Sequence, residues 1–291
     1  MWTDLGAVKP KAVVEPATQL HAAAQWLGRF GRGMSPPRED DSHTSFVWSS
    51  ARQAFVTDAA TANGKAVQLG LRAASLMLLL FEDGEIADAL SLHGKTDLDA
   101  ESWVRGALQK RGFGLSGFDA NAPYAMPDTK ISRGGKYDAL KFAGELAEIS
   151  RAYDNVQPIL DAVRARDADV TPGPDRVRSW PHHFDTGLFI TLEEAPFETA
   201  RGVGAGLAVP DKAYQEFYFY TYPWPRHPRD GMAKLKSRGR YQTEGFYGAV
   251  LPVSTLIKQK NQKAAVETFF EETVPIWKSL LEREIAAERR S

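Results

Sequence analysis

The chain has no cysteine, which excludes disulfides, thiolate nucleophiles and cysteine-bearing zinc or iron–sulfur sites. It has almost no charge imbalance either. Lys and Arg number 36 against 37 Asp and Glu, so no global field draws it to nucleic acid or an anionic membrane. The longest apolar run, Leu76–Phe81, is far shorter than the ~20 residues of a membrane helix. Residues 1–14 carry Asp4, Lys9, Pro10 and Lys11 and no apolar h-region, so a secretory signal is not expected. Walker loops, a GxGxxG after a strand, GxSxG elbows and HExxH helices are all missing. The expectation is a cytoplasmic protein with no membrane partner, in which any nucleic-acid contact is local and disfavoured.

What is present is an ordinary globular composition. With 43% hydrophobic and 25% charged residues, 291 residues suffice for one large core or two ordinary ones. Leu20, Ala23, Ala24, Leu27 and Phe30 have the spacing of an amphipathic helix over 17–31, which Pro36 and Pro37 follow. Thr44–Ser50, Gln53–Asp58, Ala66–Arg72 and Ser75–Phe81 read as strands, the last two joined across Ala73 and Ala74 as a hairpin. Ile86–His93 is ambiguous, and Asp97–Arg111 is helical. A glycine-rich loop, Gly112–Gly135, separates residues 1–120 from 136–291. Beyond it one helical face runs from Tyr137 to Val163, with Pro158 expected to bend or divide it. Strands are expected at Val177–Phe184, Gly187–Glu193, Gly204–Val209, Glu216–Pro223 and Tyr241–Leu251, and a helix from Gln262 that Pro275 interrupts. Helices grouped around runs of strands argue against a doubly wound sheet. The fold class is α+β, with mostly antiparallel sheets and flanking helices. A single integrated domain over 1–291 is expected, built as two similar helix–strands–helix halves.

Two aromatic segments stand out. If Trp180–Glu193 is extended, Trp180, His182 and Phe184 point to the core, whereas His183 and Asp185 share the other face. That pair fits a general base with an orienting carboxylate, or two metal ligands needing His43, His93 or His227 as a third. It equally fits a hydrogen-bonded core histidine and a capping aspartate. In the second segment Phe217 and Phe219 share one face, and Glu216, Tyr218, Tyr220, Tyr222 and Trp224 the opposite one. Tyrosine joins an apolar ring to a polar tip, which suits a partly wet ligand pocket, a partner surface, or cross-strand packing beneath a helix. Arg226, Arg229, Lys234, Lys236, Arg238 and Arg240 follow, with glycines at 231 and 239, as a solvated loop or an anion-binding one. Gly202-Val-Gly-Ala-Gly206 is read as a turn or bulge.

The motifs Trp180-x-x-x-Phe-Asp185 and Phe217-Tyr-x-Tyr-x-Tyr-Pro-x-Pro225, with a Gly-rich stretch before Pro210, resemble those of a bacterial family catalogued only as a domain of unknown function. Weaker likeness runs through Ser50-Ala-Arg52 and the long mid-chain helix, so the resemblance implies one integrated α+β unit. It carries no activity, and the doubled histidine departs from the small residue that stands before the family's Phe-Asp pair. The expected function is binding of a small aromatic or anionic molecule on a face lined by His183, Asp185, Tyr218, Tyr220 and Tyr222, with Arg226 and Arg229 at its mouth. Glu216 and Trp224 belong to the same face. The alternatives are a homodimerisation or protein-interaction module, and a metal-assisted hydrolase. No resident cofactor or metal follows from the residues, and whether the protein is an enzyme is left open.

Overall fold

A computed structural model describes residues 1–118, 122–126, 128–196, 198–226, 232 and 234–290. The chain forms two compact units, which it shares between distant segments. One comprises Ala12–Asp154 and Arg178–Phe184; the other comprises Met1–Lys11, Asn155–Val177 and Asp185–Ser291. The first is called here the N-terminal unit and the second the C-terminal unit. Both are α+β, and every recorded strand pairing is antiparallel.

The N-terminal unit begins with α1 (Val14–Met34), whose apolar stripe buries Leu20, Ala23, Ala24, Leu27 and Phe30. Pro16 sits in its first turn, where backbone amides have no helical partner anyway. The strands that follow are β1 (Phe46–Ser49), β2 (Ala54–Thr57), β3 (Ala60–Ala62), β4 (Lys65–Arg72), β5 (Met77–Glu82) and β6 (Glu85–Ser91). Two of the turns have their chemistry written plainly. Asn63-Gly64 joins β3 to β4 and Asp83-Gly84 joins β5 to β6, all four residues having positive φ, as tight hairpins require. The ambiguous segment 86–93 is thus the strand β6. Then α2 (Asp97–Gln109) opens on a capping box, Thr96 and Asp99 each satisfying the other's amide.

The long helix α3 (Ala143–Arg166) begins in this unit and ends in the other. Pro158 lies inside it without dividing it, which corrects that alternative of the sequence reading. The missing amide removes one helical hydrogen bond, but Val156, Ile159, Leu160 and Val163 are all buried around it, and packing outweighs the loss. Past β7 (Gly173–Pro174), strand β8 (Arg178–Ser179) returns to pair with β1, so this sheet runs β8-β1-β2-β4-β5-β6, with β3 on β4. One face is aromatic. Phe55 meets Trp48 at 5.0 Å, Tyr153 of α3 at 4.6 Å and Phe184 at 5.2 Å between ring centroids. The other face carries Ala54, Val56, Leu79 and Phe81 beside Met77.

In the C-terminal unit, β9 (Thr186–Thr191), β10 (Gly202–Ala208), β11 (Tyr218–Trp224), β12 (Arg240–Gln242) and β13 (Gly248–Pro252) form a sheet ordered β12-β13-β11-β10-β9-β7. The expected strand over Tyr241–Leu251 is therefore two short strands. A single turn, α4 (Val253–Leu256), precedes α5 (Gln262–Glu288), which Asn261 caps through its side chain. Pro275 does not interrupt α5, contrary to the sequence expectation; buried Phe270, Val274 and Trp277 surround it. Phe270 packs edge-on against Phe219 at 6.2 Å, and Trp277 Nε1 donates to Thr221 Oγ1 at 2.9 Å. Phe219 and Thr221 thereby face α5. Residues 1–11 belong to this same unit. Thr3 and Asn155 exchange two hydrogen bonds, at 2.9 and 2.6 Å, and Leu5 and Gln262 exchange two more, at 2.8 and 2.9 Å. Among the described residues no helix is long and apolar enough to cross a membrane.

Candidate binding face

Because strand residues alternate, turning Phe219 and Thr221 toward α5 sends Tyr218, Tyr220 and Tyr222 to the opposite face of the sheet. The register with β10 sets each against a small residue: Tyr222 opposite Gly204, Tyr220 opposite Gly206, Tyr218 opposite Ala208. The phenol rings lie down over these positions. A Cβ on Gly206 would come 2.5 Å from the Tyr220 hydroxyl, and one on Gly204 would collide with the Tyr222 ring. The glycine-rich segment is thus the strand β10 rather than a turn or bulge, and its period-2 glycines are the floor on which the tyrosines rest. Tyr218 and Tyr220 are each 8% exposed, while Tyr222 and Phe246 stay half-buried. Stacking runs along the row, with Tyr214–Tyr218 centroids 4.6 Å apart and Tyr220–Tyr222 5.9 Å apart at 25°.

Burying phenols requires partners for their hydroxyls. Tyr218 donates to Asp211 Oδ2 at 2.6 Å, Tyr220 to Asp185 Oδ2 at 2.5 Å and Tyr214 to Gln242 Oε1 at 2.6 Å. Burial, reinforced by those carboxylates, pushes the Tyr218 and Tyr220 phenols well above their ordinary range. Burial raises Tyr222 as well, opposed by Arg226. All three are therefore hydrogen-bond donors at neutral pH. Asp211 is itself held, accepting the amides of Ala213 and Tyr214 through Oδ1. Asp185 differs. Its Oδ1 is buried and has no hydrogen-bond partner among the described residues. At the open end of the row the exposed Arg226 lays its guanidinium 3.8 Å from the Tyr222 ring centroid, 5.2 Å from Phe246 and 5.9 Å from Trp224.

The remaining residues that the sequence assigned to this face are distributed differently. Glu216 accepts the Ser254 amide at 2.6 Å and hydroxyl at 2.8 Å, so it caps the first turn of α4. Trp224 Nε1 donates to the Glu198 carbonyl at 3.2 Å. Arg229 and His227, and Gly231 with them, lie outside the described residues. The basic segment beyond is anchored, since the Lys236 and Ser237 amides donate to Glu272 at 2.6 and 2.7 Å. A shallow cleft of about 260 Å³ beside it is lined by Lys236, Ser237, Arg238, Gln259 and Thr268.

The histidine segment corrects the sequence reading most. Trp180–Phe184 is a turn and not a strand, the Phe184 amide closing on the Trp180 carbonyl at 2.7 Å. His182 is exposed rather than in the core, and so is His183. His183 lies in the turn and Asp185 between the turn and β9, so the two do not line one strand face. His43 is buried with Nδ1 accepting the Arg38 amide at 3.2 Å, and His93 Nδ1 is 3.5 Å from Asp138. Among the described residues no group of three or more His, Asp or Glu gathers as metal ligands.

Sequence reasoning missed Asp211, Phe246 and the glycine floor. The alternation Gly202-x-Gly204-x-Gly206 against Tyr218-x-Tyr220-x-Tyr222 was the available signal for the floor. Phe246 and Asp211 reach the face from separate loops and had none. No protein-family model matches the chain, and no curated protein or solved structure does.

Proposed function

We propose that the C-terminal unit binds a small molecule at the Arg226 end of the tyrosine row. The ligand is an aromatic body carrying an anionic group. Its ring packs against the half-buried Tyr222 and Phe246, its anionic group pairs with Arg226, and a donor on it reaches Asp185. The observation that carries this reading is the buried Oδ1 of Asp185, which has no hydrogen-bond partner among the described residues, next to Tyr218 and Tyr220 phenols that are both matched. Leaving a buried carboxylate oxygen without a donor is costly, so such an oxygen points to an incoming donor. Tyr218 and Tyr220, at 8% exposure, offer little area for a second copy of the chain, which favours the small-molecule reading over homodimerisation. The same proposal makes the protein cytoplasmic and a member of the bacterial family whose aromatic motifs it shares; that membership supplies no chemistry.

A melting-shift screen of aromatic carboxylic acids, with and without amine or hydroxyl donors, tests it. A true ligand stabilises the wild type and loses most of that effect in Arg226→Ala and in Asp185→Asn. No stabilising compound, or equal stabilisation of all three proteins, rejects the reading.

A further inference from the structure

In the N-terminal unit, His21, Gln25, Gly28 and Arg32 recur at intervals of four, three and four residues and so share one side of α1. The turn Trp180–Phe184 is fastened to that side. His21 Nε2 and Gln25 Nε2 both donate to the Pro181 carbonyl, at 2.9 and 2.6 Å. Gly28 permits the approach, since a Cβ there would sit 2.8 Å from Pro181 Cβ. At the far end Tyr153 donates to the Phe184 carbonyl at 2.5 Å, and the Phe184 ring is fully buried, stacked on His21 at 5.7 Å. Phe184 has φ of +55°, in the left-handed region that disfavours a bulky side chain. A strained turn is thus held at Trp180, Pro181 and Phe184, yet the residues between them, His182 and His183, are exposed. The two solvent-facing imidazoles, centroids 4.3 Å apart, are thereby presented together on a constrained support.

Their surroundings carry a charge preference. His182 lies 5.7 Å from the Tyr124 ring and 6.0 Å from Trp180. Tyr124 donates to Gln25 Oε1 at 3.0 Å, so one glutamine orients both the turn and the phenol. Burial pushes the Tyr124 phenol up, while Arg32 and Arg29 act against that rise and Asp41 acts with it. Nη2 of Arg32 is buried and has no hydrogen-bond partner among the described residues.

We infer that Arg32, His182 and His183 form an oxyanion site, walled by the Tyr124 ring, whose ligand is a phosphate group. A guanidinium presents paired N–H donors that match phosphate oxygens, and imidazole donors add directional bonds around it. A metal site has less support, because no third ligand gathers beside the two histidines among the described residues. The inference uses none of the residues of the tyrosine row and stands apart from the function proposed there.

The test is a titration of the whole protein with inorganic phosphate and, separately, with phenyl phosphate, following the His182 and His183 imidazole resonances and the heat of binding. Saturable perturbation of both imidazoles is expected, weakened about tenfold by Arg32→Gln and by His183→Gln. Tighter binding of phenyl phosphate assigns the site to a phosphorylated small molecule with a ring against Trp180 or Tyr124; equal binding assigns it to phosphate itself. His183 is exposed, so its substitution leaves folding intact and decides the matter if the Arg32 variant melts early. Absence of saturable binding by either compound, or unchanged affinity in His183→Gln, overturns the inference.

Discussion

The sheets of the two units use the same packing device on one face and complete it with different chemistry. In the N-terminal unit the Phe81 ring lies on Gly70, whose Cβ would come 2.7 Å from it, and Arg52 lays its guanidinium 4.3 Å from the ring centroid. In the C-terminal unit Tyr222 lies on Gly204, and Arg226 covers it at 3.8 Å. Ring on glycine under arginine is therefore a way to finish a sheet face, and says nothing of function by itself. The difference lies in what surrounds the ring. Arg52 is tied down, donating to Gln68 Oε1 at 3.1 Å and to the Gly84 carbonyl at 3.2 Å, among apolar Ala54, Val56 and Leu79. Beside Arg226 stand phenols bound to carboxylates, one of which has an oxygen with no partner among the described residues. The first face is a finished surface; the second retains unspent hydrogen-bonding capacity.

The largest effect that separates the faces is steric. Gly204→Ala is expected to lose about 3 kcal/mol in urea melts, because the new methyl meets the ring of a tyrosine already stacked on Tyr220 and edge-on to Phe246. Gly70→Ala should lose about 1–2 kcal/mol, its clash falling on the edge of one phenylalanine. The reverse order breaks the comparison. Next comes polarity: Tyr220→Phe deprives Asp185 of the one donor it has among the described residues and should cost about 2 kcal/mol. Adding Asp185→Asn should recover part of that cost, since a neutral amide is cheaper to bury; no recovery means that the hydroxyl matters for packing alone.

A pH series sharpens the same contrast. The folded Tyr218 and Tyr220 phenols lie above their ordinary value of 10.0, so folding holds protons that the unfolded chain releases. Their contribution is full below about pH 10 and is lost as pH rises toward the folded values. Denaturant melts between pH 8 and 11 should show stability falling at the upper end, less steeply in Tyr220→Phe; identical slopes contradict it. The smallest effect is at the arginines. Arg226→Ala should cost about 0.5–1 kcal/mol, since the exposed guanidinium gives up its ring contact and its bond to Tyr222, and Arg52→Ala about 1–2 kcal/mol, because Arg52 gives up bonds to both Gln68 and Gly84.

Much of this architecture is written locally in the chain. The apolar stripes of α1 and α5, the period-2 tyrosines and the hairpin between β4 and β5 follow from spacing alone, and Asn63-Gly64 and Asp83-Gly84 mark the turns from β3 to β4 and from β5 to β6. The Trp180–Phe184 turn is different. Both the strand reading and the turn bury Phe184, so burial of that ring could not separate them. The turn is decided by partners at positions 21, 25 and 153, which periodicity does not register. Glu216 went astray for a related reason, because the four-residue α4 that it caps is too short to show a period. The carboxylates of the tyrosine face come from Asp185 and Asp211, seven to thirty-five residues from the phenols they bind. Prolines 158 and 275 mislead because the intrinsic cost of proline in a helix is set against burial that only the folded chain supplies.

The paired bonds of Thr3 with Asn155 and of Leu5 with Gln262 set an order of events on the ribosome. Thr3 and Leu5 dock onto side chains synthesised roughly one hundred and fifty and two hundred and sixty positions later, so they wait, unpaired, while the chain between is made. Completion of the C-terminal unit is thus gated by translation reaching Gln262. A chain arrested before that point leaves Leu5 without the partner that fixes it.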